Sequence, residues 1–355
     1  MSRPLKILSI IDIPWNSGLA NYAFEQAKAL RAGGHAVTFA CPAGSAAMKF
    51  AAAERFAAVE IPGRKEYCGF PRAARELDSL VKSCGIGAVC AHSGLAQTAA
   101  WYLRRRNPGL KVVRVKADAR RPSVGFSFSS VDRVISASAY IENQYLAAGL
   151  EPEKSSLIRQ GIAAPPFEHP PAAPPYNIGI LGRLDPVKGH ACFLEAAALL
   201  LKVRQDLRFH VAGYEAGIKY AGLKAQAEKL GISAAVEFHG RVADTFAFMK
   251  SCHAGVIASL GSEAVSRAAL EWLACGRPLV STSVGSLPEF VPKNMLVPPG
   301  DATALAEALE DLLSSEENLA HAGPINRERA VAEFSVKDFE EATRWLFEDA
   351  CGAGK

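Results

Sequence analysis

The feature that most constrains this chain is a proline-rich joint, Ala164 to Pro175. Six prolines in twelve residues rule out both helix and central strand there. The stretch reads as a stiff interdomain linker. Short apolar strands alternate with helices on either side of it. Before the joint the pattern predicts strands at 6–11, 37–41, 88–91, 111–115 and 133–136, and helices at 19–32, 71–82, 95–106 and 139–147. After it the pattern predicts strands at 177–181, 208–212, 236–239, 255–258 and 278–282, and helices at 188–204, 218–230, 244–251, 264–275 and 302–313. Such alternation predicts parallel sheets covered on both faces. The expected architecture is therefore α/β, with two doubly wound domains, 1–168 and 169–333, facing across a cleft. A last helix, 336–347, carries Phe339, Trp345, Leu346 and Phe347 and lies in a third segment, 334–355. Ligands of such sheets bind beyond the carboxyl ends of the strands, here expected in the cleft.

Composition narrows the class. A length of 355 residues suits two domains, and 49% apolar with 21% charged residues fits a folded soluble protein. No apolar run reaches the ~18 residues of a membrane span, and the first strand follows Met1–Lys6 without a secretory cleavage pattern. Eight cysteines are scattered with no C-x-x-C pair, which speaks against a zinc site or redox motif and for a reduced, cytoplasmic protein. Charge is uneven. Residues 1–168 hold 22 Lys and Arg against 13 Asp and Glu, a net of +9, while residues 169–355 hold 18 against 23, a net of −5. That split suggests that one half meets lipid headgroups, a phosphorylated glycolipid or nucleic acid. A solvated basic face is the plain alternative. Nucleic acid is the weaker partner, because no nucleic-acid motif accompanies the charge.

The chemistry concentrates in Gly261 to Pro278, where Glu263 and Glu271 sit eight residues apart around a predicted helix start. On one helix that spacing is ~12 Å, beyond the ~5–9.5 Å of a glycosidase carboxylate pair. It suits two carboxylates gripping the ends of one long ligand, such as a sugar nucleotide. The amides of Val265, Ser266 and Arg267 would be the first free N–H groups and could meet a phosphate between those ends. A buried helix with a capping serine and a solvated glutamate fits the same residues. Upstream, Gly182-Arg183 and Lys188-Gly189 close the first strand of the second domain. Arg183 offers a bidentate fork and Lys188 a point charge for a diphosphate, though a surface salt-bridge loop is equally compatible. Neither a Walker loop nor a G-x-G-x-x-G fingerprint is present.

The first domain offers looser candidates. Gly18, after Ser17, opens a helix behind the first strand and could touch an anion; an ordinary N-cap by Asn16 or Ser17 is the alternative. His92 follows a strand and is expected at the cleft, to donate to a sugar hydroxyl or shuttle a proton. The charged run Arg114 to Pro122 includes Asp118, Arg120 and Arg121, which could hold phosphates of the acceptor or donor. With Arg64, Lys65 and Arg104 to Arg106 it could form a basic face. His35, His210 and His239 read as strand-edge or structural positions.

In order along the chain, Gly182-Arg183, Lys188-Gly189, Glu263 and Glu271, Ala274 to Val280, Val284 to Glu289 and Leu296 to Asp301 resemble glycosyltransferase family 4, the retaining sugar-nucleotide transferases of GT-B fold. Ser17-Gly18 and Ala91 to Ser93 fall where that family has its glycine loop and cleft histidine. The chain departs from it in carrying Glu263-Ala-Val-Ser266-Arg267 for Glu-Gly-Phe-Gly, and Ser17-Gly18 for a double glycine. The resemblance implies two Rossmann-like domains, with the last helix crossing back to the first. It assigns Arg183 and Lys188 to the diphosphate and the leaving charge, Glu271 to the ribose, and Glu263 to the donor sugar with the amides of Val265 and Ser266. It places His92 near that sugar and lets Gly18 close over the phosphates. The implied activity is transfer from a nucleoside-diphosphate sugar to a glycan or glycolipid acceptor in cell-surface polysaccharide or lipopolysaccharide assembly. No metal or other cofactor is expected. The protein would be cytoplasmic, or peripheral on the anionic inner face of the cytoplasmic membrane. A nucleotide-sugar 2-epimerase and an inactive sugar-nucleotide binder are the competing functions.

Overall fold

The computed structural model describes residues 3–66, 69–170 and 174–352. The chain divides into two units, Met1–Gly161 with Val336–Lys355, and Ile162–Ser335. The first unit runs β1 (Lys6–Ile10), α1 (Gly18–Ala32), β2 (Ala36–Cys41), α2 (Ala46–Ala53), β3 (Ala57–Glu60), α3 (Phe70–Cys84), β4 (Ala88–Ala91), α4 (Gly94–Arg106), β5 (Lys111–Lys116), β6 (Arg133–Ser136), α5 (Ala139–Ala147) and β7 (Ser155–Leu157). Its seven strands are parallel in the order β3-β2-β1-β4-β5-β6-β7. The chain therefore winds outward from β1 in one direction and from β4 in the other, which makes the β1/β4 boundary the topological switch point.

The second unit repeats the plan with β8 (Tyr176–Leu181), α6 (His190–Leu200), β9 (Leu207–Ala212), α7 (Tyr220–Lys229), β10 (Val236–Gly240), α8 (Thr245–Lys250), β11 (Ala254–Ile257), α9 (Arg267–Ala274), β12 (Leu279–Thr282), β13 (Leu296–Val297), α10 (Ala302–Leu313) and α11 (Glu316–Glu333). The sheet order β10-β9-β8-β11-β12-β13 is again parallel and puts the switch point between β8 and β11. Strands β4, β11 and β12 are buried along their whole length, as expected of parallel strands covered on both faces.

Close packing in the second unit depends on two glycines. Trp272 of α9 is fully buried against the sheet. A Cβ added at Gly255 would meet its indole at 2.3 Å, and one at Gly179 would meet it at 2.9 Å. The missing side chains open the slot that the ring fills, and so seat α9 close to β8 and β11. Behind it the fully buried Arg277 donates to the carbonyls of Cys252, Glu168 and Lys250, each at 2.8 Å. The Gly-Arg-Pro turn is thus a staple as well as a turn.

The proline-rich joint lies on the second unit. Ile162 N–H donates to Phe334 O at 2.8 Å, Ile162 and Ala164 join the core of that unit, and Arg277 holds Glu168. The boundary between the units therefore falls at 161/162, earlier than the 168/169 expected from proline content. The other boundary falls at 335/336. Helix α12 (Val336–Ala350) belongs to the first unit, where Phe339 meets Tyr22 edge-on at 5.4 Å. Its buried stripe is Phe339, Thr343, Leu346, Phe347 and Ala350. The crossing back of the last helix implies that Phe339 and Trp345 both lie under the first sheet; Phe339 is buried, whereas Trp345 falls off the stripe and is 65% exposed. Divided by unit, the charge is 25 basic against 17 acidic residues in the first (+8) and 15 against 19 in the second (−4).

The glycine slot makes a prediction. Gly255→Ala should cost roughly 1–3 kcal/mol by overpacking. Gly222→Ala, in a helix with open space around it, should be neutral or stabilise by up to ~1 kcal/mol. Denaturant unfolding of the two variants checks this; equal effects would show that the indole slot is not tight.

Candidate functional site

In the second unit the loops leaving β8 and β11 meet across the switch point. The loop after β8 carries Gly182, Arg183 and Asp185, then a 3₁₀ turn, Pro186–Lys188, and Gly189 at φ 69°. The expected helix 188–204 is thus split here. A Cβ at Gly189 would lie 1.8 Å from the carbonyl of Ala258, so only glycine lets the loop approach β11. Leu260 N–H then donates to Val187 O at 2.7 Å, joining the two loops through the backbone.

This junction sets Lys188 against Glu263. The ammonium lies 2.5 Å from Glu263 Oε1, which also accepts from Ser259 Oγ at 2.5 Å. Glu263 is 3% exposed. Its backbone is fixed as well: its carbonyl accepts from the amide of Ser286 at 2.7 Å and from the hydroxyl at 3.0 Å, and Gly285 packs so closely that a Cβ would meet that carbonyl at 2.1 Å. The preceding Ser262 has φ 65°, an uncommon conformation for a side-chain-bearing residue. The two partners assigned to different parts of a ligand are therefore paired with each other.

Helix α9 starts at Arg267, three residues later than expected, because Glu263 is held in the loop by Ser286. Glu263 and Glu271 do not share one helix, so the ~12 Å helical rise does not describe their separation. Leu270 N–H to Ser266 O, at 3.1 Å, is the first intrahelical bond. Ser266 is the N-cap and makes no side-chain capping bond. The orphan amides are those at the head of α9, after Ser266, while Val265 precedes the cap. Arg267 reaches Glu271 Oε1 at 2.8 Å. That i,i+4 bond orients the buried Glu271 and occupies the extra positive charge noted in the sequence. Arg183 is 41% exposed at its side chain and only 3.7 Å from Asp185 Oδ2, a loose surface contact.

The first unit has its own arrangement at the β1/β4 switch point. His92 is completely buried, with Nε2 3.0 Å from Ser9 Oγ and 3.3 Å from Cys90 Sγ. Burial, aided by the positive charge of Arg114, lowers its pKa to about 3. The ring is therefore held in its neutral form, with Nε2 turned to Ser9 and Cys90 inside the unit. Asp12, just after β1, is fully buried with neither carboxylate oxygen hydrogen-bonded among the described residues. The sequence reading passed over it, although a lone acid after an apolar strand is a signal that could have found it. Gly18 is the first residue of α1, with Ser17 as N-cap accepting from Ala20 N–H at 3.3 Å.

Beside these lies a cavity of about 320 Å³ whose lining includes Arg64, Arg114, Lys116, Arg120, Arg121 and one acid, Asp118. Arg114 and Lys116 are alternate residues of β5 and share one face of it; both are buried. Lys116 pairs with Asp118, which also accepts from the amide of Arg120 at 2.9 Å. Arg114 donates to Ala91 O at 2.8 Å. The side chains of Arg64, Arg120 and Arg121 have no ion-pair partner among the described residues. Asp118, Arg120 and Arg121 therefore converge with Arg114, Lys116 and Arg64 on one strongly cationic cavity. By contrast Arg104 and Arg106, expected on an open basic face, are engaged: Arg104 with Leu110 O, and Arg106 with Asp78 at 2.9 Å.

Both units match models of one enzyme group. Glycosyltransferase Family 4 matches residues 16–165, and Glycosyl transferases group 1 matches residues 175–315. The chain belongs to this glycosyltransferase family. Its fold is GT-B, two Rossmann-like units in one chain. A glycosyltransferase from Rickettsia africae superimposes with a TM-score of 0.83 at 18% identity, covering 98% of each chain. Anabaena Alr3699/HepE, solved with UDP and glucose, gives 0.80 at 17% identity over 97% of this chain and 100% of the other. Among curated relatives, a phosphatidylinositol N-acetylglucosaminyltransferase component of Arabidopsis thaliana is 30% identical over 53% of this chain and 43% of its own length. The D-inositol 3-phosphate glycosyltransferase of Corynebacterium urealyticum is 32% identical over 48% of this chain and 43% of its own. The match thus spans less than half the length of either relative.

For this family member the buried histidine sets a pH dependence. The unfolded chain protonates His92 near the ordinary 6.5 and the folded chain only near 3. The contribution is therefore complete above pH 6.5 and is lost as pH falls from there toward 3. At pH 5 the loss is about 2 kcal/mol. Unfolding at pH 7.5 and pH 5 should show His92→Gln with a shallower decline than the parent; parallel declines would mean that the ring is solvated.

Proposed function

We propose that the chain is a retaining glycosyltransferase that moves a sugar from a nucleoside-diphosphate sugar to a glycan or glycolipid in cell-surface polysaccharide or lipopolysaccharide assembly. The observation that carries this reading is the Lys188–Glu263 pair at the switch point of the second unit, with Arg183 on the same loop and the orphan amides of α9 beyond it. Arg183 and Lys188 hold the diphosphate, and Glu271, oriented by Arg267, binds the ribose. Glu263 meets the donor sugar. As the bond from the anomeric carbon to the phosphate oxygen breaks, the two cations and the amides stabilise the departing nucleoside diphosphate beside an oxocarbenium-like sugar. The acceptor hydroxyl attacks the same face, and its proton passes to the leaving phosphate oxygen. Lys188, held by Glu263, and the more exposed Arg183 supply the charge that a metal ion would otherwise bring.

The cationic cavity of the first unit favours an acceptor-using enzyme over an epimerase, which needs no second substrate. It suits a phosphorylated acceptor. Relatives named for phosphatidylinositol and inositol 3-phosphate are also named for phosphorylated molecules. Among the described residues no helix is long and apolar enough to cross a membrane. The +8 of the first unit supports peripheral docking on anionic lipid in a cytoplasmic protein, each basic residue near the surface contributing ~1 kcal/mol.

Donor turnover with UDP-, GDP- and ADP-sugars, with and without lipid extract, tests the reading. A transferase requires the extract, an epimerase turns over without it, and an inactive binder does neither. Glu271→Ala should weaken nucleoside-diphosphate binding tenfold or more, about 1.4 kcal/mol, while Glu263→Ala mainly lowers kcat; equal losses of affinity would contradict the assigned roles. Turnover should persist in EDTA, and loss restored by Mg²⁺ would refute the two-cation clamp. Binding to phosphatidylglycerol vesicles should fall with salt, since screening sets in beyond ~8 Å at physiological strength. Indifference to anionic lipid at low salt would remove the membrane from the account.

A further inference from the structure

A cluster unrelated to the donor residues lies within the strands of the second unit. His210 of β9 and Glu237 of β10 are register partners. His239 lies two residues beyond Glu237, at a break in the ladder between Phe238 and Gly240, and still meets His210. The residues come together only through the ladder, since the two histidines are 29 apart in sequence. Read singly, each passes as a strand-edge position.

Their side chains meet. His210 Nδ1 is 3.0 Å from His239 Nε2 and 3.6 Å from Glu237 Oε2, while the other nitrogen of His239, Nδ1, lies 3.6 Å from Glu237 Oε1. One nitrogen from each ring and a carboxylate oxygen all fall within 4.8 Å of one another. A tetrahedral ion bound at ~2.0–2.1 Å holds its ligand atoms about 3.3 Å apart, so the three would close on one by a rotation of the exposed Glu237 carboxylate toward the nitrogens that face each other. We propose that His210, Glu237 and His239 form a binding site for a borderline transition-metal ion such as Zn²⁺.

The donor set selects the class of ion. Two imidazoles and a carboxylate suit Zn²⁺, Co²⁺, Ni²⁺ or Cu²⁺, whereas Mg²⁺ and Ca²⁺ require oxygen ligands. His210 is on the interior strand β9, Glu237 and His239 are on the edge strand β10, and the His239 ring sits edge-on to Phe248 at 5.4 Å. The site is also reachable: the side chain of Glu237 is 66% exposed and that of His239 27%. Three protein ligands leave a fourth position for water. The site lies on the strands rather than in the loops that carry Lys188 and Glu263. The ion would pin the edge strand β10 to β9, apart from the transfer chemistry.

The test uses full-length, untagged protein stripped with EDTA and dialysed. Zn²⁺ at a hundredfold excess over its Kd should raise the unfolding temperature by at least about 2 °C, and Co²⁺ should bind with one equivalent and a visible d–d band. His239→Ala should weaken binding of both ions at least tenfold; if it folds poorly, the exposed Glu237→Gln serves instead. Cys84→Ser, which removes an exposed thiol, should leave binding unchanged. No bound Zn²⁺ at ~100 µM by equilibrium dialysis would overturn the site, and so would affinity retained in His239→Ala or lost in Cys84→Ser.

Discussion

The ion pair between Lys188 and Glu263 is the contact on which the second unit's site depends. It joins the loops that leave β8 and β11, the two strands from which the chain winds in opposite directions. Neither loop reaches the other without Gly189, and Glu263 does not hold its place without Gly285 and Ser286 behind it. Removing one partner of a buried pair costs on the order of 3–5 kcal/mol. Here the figure is smaller, because the lysine side chain remains 23% exposed. That partial exposure matters chemically, since a carboxylate buried on one side and a lysine open on the other leave the ammonium free to accept a second anion.

Much of the architecture was legible because periodicity is local. The alternation of apolar strands and helices anticipated β4, β6, α5 and α10 to the residue. What was missed depends on partners distant in sequence. Ala264 to Ser266 look helical alone, and only the bonds from Ser286 to the Glu263 carbonyl keep them out of α9. Helix α11 was not anticipated, and Pro324 lies inside it. The joint looked like a stiff linker between domains because its prolines were counted and the packing of Ile162 and Ala164 on the second unit was not visible. In the site, the residue types were legible and their pairings were not: Arg267 with Glu271, Lys188 with Glu263, and the burial of His92 follow from register and packing.

The first unit carries a different constraint. Buried Arg114 and Lys116 are costly to fold around, and Asp118 offsets only part of their charge. A fold that keeps several cations around one cavity gives up stability to do so. Asp12 is a separate cost of opposite sign, a buried carboxylate with no donor among the described residues. Both features lie toward the carboxyl ends of β1 and β5, the end at which parallel sheets bind ligands.

The central claim is that Lys188 is shared between Glu263 and the diphosphate of a ligand. A double-mutant cycle with Lys188→Met, Glu263→Gln and their combination measures it, by unfolding the protein alone and with saturating UDP, GDP or ADP. The account predicts a coupling energy of about 1–3 kcal/mol in the free protein, reduced when the nucleoside diphosphate that stabilises the parent is bound. Coupling that is unchanged by ligand, or a parent that none of the three nucleotides stabilises, would contradict it.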